Sequence, residues 1–208
     1  MLVRHAESAG NTGGTIQGWT DMPLTEAGRQ QALAVARRLA MLPVTAVYSS
    51  PLSRALHTAE AIASALGSDG APVTTLDDLR ERHYGAAQGL TWTEASARWP
   101  ARAAHDRDWA TGVPDAESLT ALRARSVAAV GGLLDRHADD LAVCVSHGGT
   151  LVQVIAHLFG LPENTWPRIG MSNTSVTVVE GTSASPLIRT LNDVCHLDDP
   201  QRAATLAL

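Results

Sequence analysis

The stretch LAVCVSHGGTLVQVIAHLFG, residues 141–160, gives the clearest indication of the fold. It opens with a continuous apolar run, which is typical of a strand buried on both faces. Gly148 and Gly149 then mark a turn, and TLVQVIAHLFG predicts a helix. A buried strand that leads into a helix is the repeating unit of an α/β fold.

The rest of the chain repeats this alternation. TAVYSS (45–50) predicts a strand, and SPLSRALHTAEAIASALG (50–67) predicts a helix. In that helix Ser50 is the expected N-cap, Pro51 fits the first helical position and Gly67 fits the stop. Two further helices are predicted at TEAGRQQALAVARRLAML (25–42, N-cap Thr25) and SLTALRARSVAAVGGLLDRHA (118–138), and further strands at PVTTL (72–76), TSVTVVEG (174–181) and PLIRTLND (186–193).

These elements predict one α/β domain over residues 1–208, a three-layer sandwich whose mainly parallel sheet is flanked by helices. The segment at about 84–117 fits no strand pattern. It contains Trp92, Trp99 and Trp109, and it predicts a helical, lid-like insertion over one sheet edge. Its tryptophans have two interpretations, stacking on a ring of the substrate or packing in the core.

Composition and charge exclude several classes of function. The net charge of −5 argues against a nucleic-acid binder. No window approaches the ~18 apolar residues of a membrane span, and no apolar segment predicts a signal peptide. The two cysteines lack metal-ligand spacing, and Cys144 lies in an apolar run, as expected of a reduced core residue. We therefore predict a cytoplasmic protein with no membrane partner.

All 16 basic residues are arginines. The absence of lysine excludes Schiff-base chemistry and the lysine of a GxxxxGK[ST] nucleotide loop. Any cationic recognition must come from arginine, whose guanidinium binds phosphate or carboxylate through two parallel hydrogen bonds.

Polar residues follow the predicted strands at their carboxyl ends, where ligands collect in such sheets. Arg4 and His5 end the first strand, and Arg54 lies near the start of a helix, where the helix dipole disfavours a cation. His147 precedes another helix N-terminus, whose N–H groups suit an anion. Two arginines, two histidines and a helix start at one edge predict a phosphoryl site.

Five blocks resemble the histidine phosphatase superfamily, which includes the cofactor-dependent phosphoglycerate mutases. They occur in the family's order and span most of residues 2–160. The blocks are LVRHAESAGN (2–11), QGWTDMPLTEAGRQQA (17–32), VYSSPLSRALHTAEAIA (47–63), LRERHYGAAQGL (79–90) and VSHGGTL (145–151). Members usually have a few more residues before the Arg-His pair, which leaves open whether residues precede Met1.

The resemblance implies a phosphoglycerate mutase-like fold and assigns His5 as the nucleophile that becomes a phosphohistidine. Glu81 would be the proton donor and base, and no metal or cofactor is expected. The partner would be a small phosphomonoester, and a homodimer stays open. The other implied site residues are Arg4, Arg54 and His147 in a phosphate clamp, Asn11, Gln17, Gly18 and Gly148 around the phosphate, and Tyr84 on the substrate side.

Departures from the mutase pattern favour a phosphatase. The chain has no lysine, and Trp109 is followed by Ala110 and Thr111 where mutases have an arginine pair. LPENTWPRIGMSNTS (161–175) resembles bacterial phosphatases, some of which act on glycosylated phosphoglycerate. A sugar phosphate or a phosphoglycerate-type substrate is expected. Phosphoglycerate mutase remains the alternative, because Arg98, Arg102 or Arg107 would be able to replace the missing cations; a non-catalytic binding module is least favoured.

Overall fold

A six-stranded sheet forms the centre of the computed structural model, which describes residues 1–67, 72–100 and 108–198. The strand order is β3-β2-β4-β1-β5-β6. Strands β3, β2, β4 and β1 pair in parallel, whereas β5 is antiparallel to both β1 and β6. The strands are β1 (Leu2–Arg4), β2 (Val44–Ser49), β3 (Val73–Thr75), β4 (Leu141–Ser146), β5 (Val176–Thr182) and β6 (Ser185–Asp193). The predicted mainly parallel sheet is confirmed.

Helices cover both faces of the sheet. The described α-helices are α1 (Ala9–Thr12), α2 (Glu26–Leu39), α3 (Ser53–Ala65), α4 (Trp92–Arg98), α5 (Leu119–Arg136) and α6 (Gly148–Leu158). Val3 and Val143 pack with residues of α2 and α3, while their neighbours Leu2 and Cys144 pack with residues of α5 and α6. This alternation sends successive strand residues to opposite faces, so both faces are buried and the three-layer sandwich is confirmed.

One predicted helix cap is present and one is not. The Thr25 side chain accepts a hydrogen bond from the Gly28 N–H, as predicted. The prediction that Ser50 caps α3 is wrong, because α3 begins at Ser53 and the Asp21 carboxylate accepts from the Ser53 N–H at 2.8 Å. Ser50 lies between β2 and α3, and its hydroxyl contacts His147 Nε2 instead.

The tryptophan-rich segment has a small core of its own. It contains α4 and two 3₁₀ turns, Gly85–Ala87 and Trp109–Gly112. Its buried residues pack around Ile16 from the loop after α1, and backbone hydrogen bonds join Ile16 to this segment. The expected strand-free, partly helical structure is observed for its described residues, and the role of a lid stays a prediction. Arg102 and Arg107 lie outside the described residues.

Two further predictions concern the environment of the chain. Cys144 is buried in the core, as predicted. Among the helices described here, none has the length and apolar character needed to cross a membrane. The cytoplasmic compartment stays a prediction.

Candidate active site

A cavity of about 390 Å³ lies at the carboxyl ends of β1 and β4 and beside the start of α3. Side chains from separate parts of the sequence meet there because parallel strands end at one edge of the sheet. His147 does not line the cavity. The other nine predicted site residues do: Arg4, His5, Asn11, Gln17, Gly18, Arg54, Glu81, Tyr84 and Gly148.

The His5 side chain is a neutral imidazole, and one of its two ring nitrogens carries no proton. Its Nδ1 lies 2.7 Å from the Ala6 carbonyl oxygen, and a carbonyl only accepts, so the proton is assigned to Nδ1. Nε2 therefore carries a lone pair. Burial, together with the charges of Arg54 and Arg4, lowers the pKa of His5 well below 6.5. The unprotonated nitrogen is the form that attacks phosphorus.

The backbone around His5 is fixed on two sides. Asn173 donates from its side-chain amide to the His5 carbonyl at 2.9 Å, and the Thr174 N–H donates to the Arg4 carbonyl at 3.0 Å. On the other side, the Ala6 N–H donates to the Thr58 hydroxyl at 3.0 Å. Asn173 was not identified as a site residue, although it lies in LPENTWPRIGMSNTS, the stretch that resembles bacterial phosphatases.

Arg4 and Arg54 bring two positive charges into a buried position. Arg54 is 1% exposed and donates to the Gly18 carbonyl at 2.7 Å and the Thr20 carbonyl at 3.1 Å. Arg4 donates to the Met171 carbonyl. The buried Nε atoms of both arginines have no acceptor among the described residues. Since an unpartnered buried donor is costly, the arrangement favours an acceptor anion in the cavity.

The same burial affects the charge state of these arginines. It lowers the pKa of Arg4 to about 10, and the Glu81 carboxylate opposes that shift. Burial also lowers the pKa of Arg54, against the favourable charges of Glu81 and Asp21. Both side chains stay cationic near neutral pH, and a dianionic phosphate would stabilise that state further.

His147 lies beside His5 and away from the cavity wall. It is fully buried, the two ring centroids are 5.2 Å apart, and Nε2 is 2.8 Å from the Ser50 hydroxyl. Burial lowers the pKa of His147 well below 6.5, and Arg54 adds to the effect. Its Nδ1 is buried and has no partner in the described part of the chain. A direct contact from His147 to the cavity contents stays a prediction.

Glu81 caps the first turn of α6. Its Oε1 accepts from the Arg82 N–H at 2.8 Å and the Thr150 N–H at 3.1 Å, and its Oε2 accepts from the Gly149 N–H at 3.0 Å. The prediction that this helix start is open to an anion is therefore wrong for Gly149 and Thr150. The carboxylate satisfies those donors and interacts favourably with the positive end of the helix dipole.

The segment that carries Glu81 is clamped from behind by Arg125. This guanidinium donates to the carbonyl oxygens of Asp78, Arg80 and Glu81 at 2.7–2.9 Å. It is held in turn by both oxygens of Glu117, at 2.6 and 2.9 Å. The paired geometry fixes the backbone at Glu81, so the carboxylate keeps its place beside the cavity.

Asn11 and Gln17 both contact Ser8. Asn11 Oδ1 accepts from the Ser8 backbone N–H at 3.0 Å, so the NH₂ group of Asn11 is left for an anion in the cavity. The Ser8 hydroxyl, which has a single hydrogen, lies 2.9 Å from Asn11 Oδ1 and 2.8 Å from Gln17 Oε1. Gly18 has a φ of +51°, and a Cβ there would lie 2.1 Å from Oε1 of Gln88, so both backbone and space require glycine.

The residues that line the cavity fall into two chemically different groups. We call the polar group the polar end, formed by Arg4, His5, Asn11, Gln17, Arg54, Glu81 and Gly148. We call the apolar group the apolar end, formed by Ile16, Tyr84, Trp92, Val152, Trp166, Ile169 and Met171. Of the apolar group, Tyr84 was a predicted site residue, and Trp92 is one of the tryptophans for which stacking on the substrate was one interpretation. Tyr84 stacks on Trp109, with ring centroids 5.5 Å apart.

Trp19 and Arg98 lie outside the cavity wall. The Trp19 indole donates to the Glu81 carbonyl at 2.7 Å and lies beneath the Arg80 guanidinium, so it packs against the segment that carries Glu81. Arg98 lies over the Trp99 ring and is not among the residues that line the cavity.

Comparison with known proteins agrees with the fold. Residues 1–194 match the model of the histidine phosphatase superfamily, branch 1. The chain belongs to this superfamily, and the predicted class of enzyme is confirmed.

Individual relatives carry two kinds of name. A probable phosphoglycerate mutase GpmB from Salmonella arizonae is 34% identical over 96% of this chain and 94% of its own. A glucosyl-3-phosphoglycerate phosphatase from Mycolicibacterium vanbaalenii is 36% identical over 87% of this chain and 83% of its own. The solved structure of Bacillus stearothermophilus YhfR aligns with a TM-score of 0.85 and 32% identity, over 95% of this chain and 98% of its own.

Proposed function

We propose that the protein is a phosphomonoester hydrolase that works through a phosphohistidine on a small phosphorylated metabolite, a sugar phosphate or a phosphoglycerate-type compound. The observation that carries the proposal is the state of His5, a buried neutral imidazole that shares a cavity with two arginines. Phosphoryl transfer requires such a nucleophile and such positive charge. The relative named glucosyl-3-phosphoglycerate phosphatase supports this choice of substrate.

In the first step, the lone pair on His5 Nε2 attacks phosphorus, and the bond between phosphorus and the ester oxygen breaks. Arg4 and Arg54 stabilise the charge on the other phosphate oxygens. The hydrogen bond from Nδ1 to the Ala6 carbonyl stabilises the positive charge that the ring acquires. The departing alkoxide takes a proton from Glu81, for which Oε2 is the available oxygen, since it accepts only the Gly149 N–H.

In the second step, water attacks the phosphohistidine. The carboxylate of Glu81 takes a proton from that water as the oxygen bonds to phosphorus, and the N–P bond breaks. Inorganic phosphate leaves, His5 returns to its neutral form, and Glu81 is again protonated for the next ester. The scheme uses protein groups only, with arginine as the source of positive charge. Among the described residues, no group of three or more His, Cys, Asp or Glu side chains is placed to hold a metal ion.

The test is a rapid-quench experiment with a labelled phosphomonoester. Brief incubation should leave acid-labile, base-stable phosphate on the protein, and His5→Ala should lose both the label and turnover. His157→Ala, on the exposed last turn of α6, is the matched control. Near-normal turnover by His5→Ala would rule out the mechanism. Silence of the native protein across many phosphomonoesters would favour a binding module.

The same assay in EDTA should show full activity, and a loss restored by one specific divalent ion would contradict metal independence.

Phosphoglycerate mutase is the second candidate, because one relative is named as a probable mutase. A mutase must hold the carboxylate of phosphoglycerate while the phosphohistidine waits. Among the described residues that line the cavity, Arg4 and Arg54 are the cations, and both belong to the polar end. A charge-assisted hydrogen bond contributes about 1.5–3 kcal/mol, so each missing cation weakens retention of the phosphoglycerate by roughly 10- to 100-fold.

The two candidates are separated by one assay. The protein is given 3-phosphoglycerate with catalytic 2,3-bisphosphoglycerate, and both 2-phosphoglycerate and free phosphate are followed. We expect release of phosphate to exceed isomerisation. Isomerisation much faster than release would establish the mutase instead.

A further inference from the structure

Trp166, from the stretch LPENTWPRIGMSNTS, lines the cavity beside Glu81. Gly149 shows this contact most directly, because a Cβ built there would lie 2.5 Å from Glu81 Oε1 and 3.1 Å from Trp166 Cη2. The edge of the indole and the carboxylate therefore lie over the same small area of the first turn of α6. Trp166 is half-buried and lines the cavity.

The loop before Trp166 is fixed by a buried arginine. Arg123 is 3% exposed, and its guanidinium donates to the carbonyl oxygens of Leu161, Pro162 and Thr165 at 2.7–3.0 Å. Its Nε donates to the side-chain oxygen of Gln153 at 2.9 Å. One side chain thus satisfies three carbonyls in the five residues that precede the indole. A surface connection would not need this cation, so the arrangement indicates that the position of Trp166 matters.

Two more aromatic side chains line the same cavity. The ring centroids of Tyr84 and Trp92 are 6.3 Å apart, and Trp92 is 47% exposed. Aliphatic side chains complete the apolar end, and no described residue of it carries a charge. An alcohol with a flat, apolar ring face fits such a wall through stacking. A second anionic group would be desolvated there without a cationic partner.

We propose that Trp166 is a specificity-determining residue that contacts the alcohol part of the substrate beside Glu81, and that it selects phosphomonoesters of neutral, ring-bearing alcohols over compact phospho-acids. The catalytic part of this proposal depends on the phosphatase function proposed above. The ring is either an aromatic ring or the apolar face of a sugar, and the two sources share the same contact with the indole. No covalent step is added to the mechanism.

The kinetic test compares phenyl phosphate, glucose 6-phosphate and 3-phosphoglycerate by kcat/KM. The native protein should prefer at least one of the two ring-bearing esters. Trp166→Ala should reduce that preference over 3-phosphoglycerate by about tenfold or more, and Trp166→Phe should keep most of it. Phe159→Ala, which removes an aromatic ring that is 54% exposed and outside the cavity, should leave the preference unchanged. If Trp166→Ala lowers the relative kcat/KM for phenyl phosphate, the ring is aromatic. If it lowers the relative kcat/KM for glucose 6-phosphate, the ring is the face of a sugar.

A binding measurement tests the same contact without turnover. In the His5→Ala background, Trp166→Ala should weaken binding of phenyl phosphate or glucose 6-phosphate and leave binding of inorganic phosphate unchanged. Equal affinity with and without the indole, or a native preference for 3-phosphoglycerate, would overturn the proposal. Selective binding without any hydrolysis by the native protein would support the Trp166 contact and overturn the phosphatase function, so the two failures are distinguishable. Circular dichroism melting of each variant, with Trp166→Leu as a replacement if Trp166→Ala does not fold, keeps the comparison interpretable.

Discussion

The polar end and the apolar end of the cavity are built in different ways. His5 directly follows β1, Arg54 is the second residue of α3, and Gly148 opens α6, so regular elements place each of them. Trp166 and Ile169 come from the irregular stretch between α6 and β5, and Trp92 comes from the tryptophan-rich segment. Rigid elements hold a fixed geometry for chemistry, and loops can change without disturbing it. The separation is not complete, because Gln17 and Glu81 of the polar end lie outside helices and strands, whereas Val152 of the apolar end lies in α6.

We expect the largest loss of activity from Glu81→Gln. The amide keeps the size and an acceptor for the cap on α6, but it cannot transfer a proton. We expect kcat for alkyl phosphates to fall about 10²- to 10⁴-fold, since their leaving alkoxides need protonation. Aryl phosphates should lose much less. Both substrate types are measured with the same variant, and equal losses would argue against the acid role.

Arg54→Ala should have the next largest effect, and it should not depend on the alcohol. The guanidinium lies at the polar end, so its removal should lower kcat/KM about 10²- to 10³-fold for every phosphomonoester. Arg37→Ala, on the exposed face of α2, is the control for loss of a positive charge. A loss confined to some substrates would contradict the view that the polar end acts on every phosphomonoester and the apolar end selects the alcohol.

Part of the polar end was predictable from local signals. Arg4 and His5 follow an apolar run and mark the carboxyl end of a strand, and Arg54 lies near a predicted helix start. The alternation of predicted strands and helices likewise predicted the layers. Asn11, Gln17 and the role of Glu81, by contrast, were predicted from the resemblance to the histidine phosphatase superfamily.

The apolar end was not predictable in this way. Ile169 and Met171 resemble any core residues, and nothing near them in sequence shows that they face a cavity. Trp166 depends on Arg123, which lies more than 40 positions away along the chain. The Glu81 cap on α6 is equally non-local, since it joins residues 68 and 69 positions apart. Such contacts come from the tertiary structure, which local patterns do not encode.

Gly149→Ala tests whether a change in the position of Glu81 also changes the selection of the alcohol. The new methyl group would overlap Glu81 Oε1 and press on the Trp166 ring, so both must shift. We expect kcat to fall roughly tenfold and the preference among alcohols to change in the same variant. Gly132→Ala, in α5 where a Cβ meets no atom within 4 Å, is the matched control. A change in kcat without a change in preference would show that Trp166 does not depend on this turn.

The smallest expected effect concerns the stability contributed by His147, which lies beside His5 of the polar end. Burial holds the folded-state pKa of His147 well below 6.5, so between pH 6.5 and that lowered pKa the unfolded chain binds one more proton than the folded chain. The favourable contribution is therefore complete above pH 6.5 and is lost as the pH falls. For one such group, the free energy of unfolding should drop by about 2 kcal/mol between pH 7 and pH 5.

His147→Gln removes the titrating group and keeps a polar side chain that can reach the Ser50 hydroxyl. Urea unfolding of both proteins at pH 7, 6 and 5 measures the difference. The variant should lose about 2 kcal/mol less than the native protein over this range, whatever its absolute stability. The apolar end contains no buried histidine among its described residues, so Trp166→Phe should keep the native pH dependence. Parallel curves for the native protein and His147→Gln would show that folding leaves the pKa of His147 unchanged, because a group with the same pKa in both states adds no pH dependence to stability, and this result would contradict the lowered pKa.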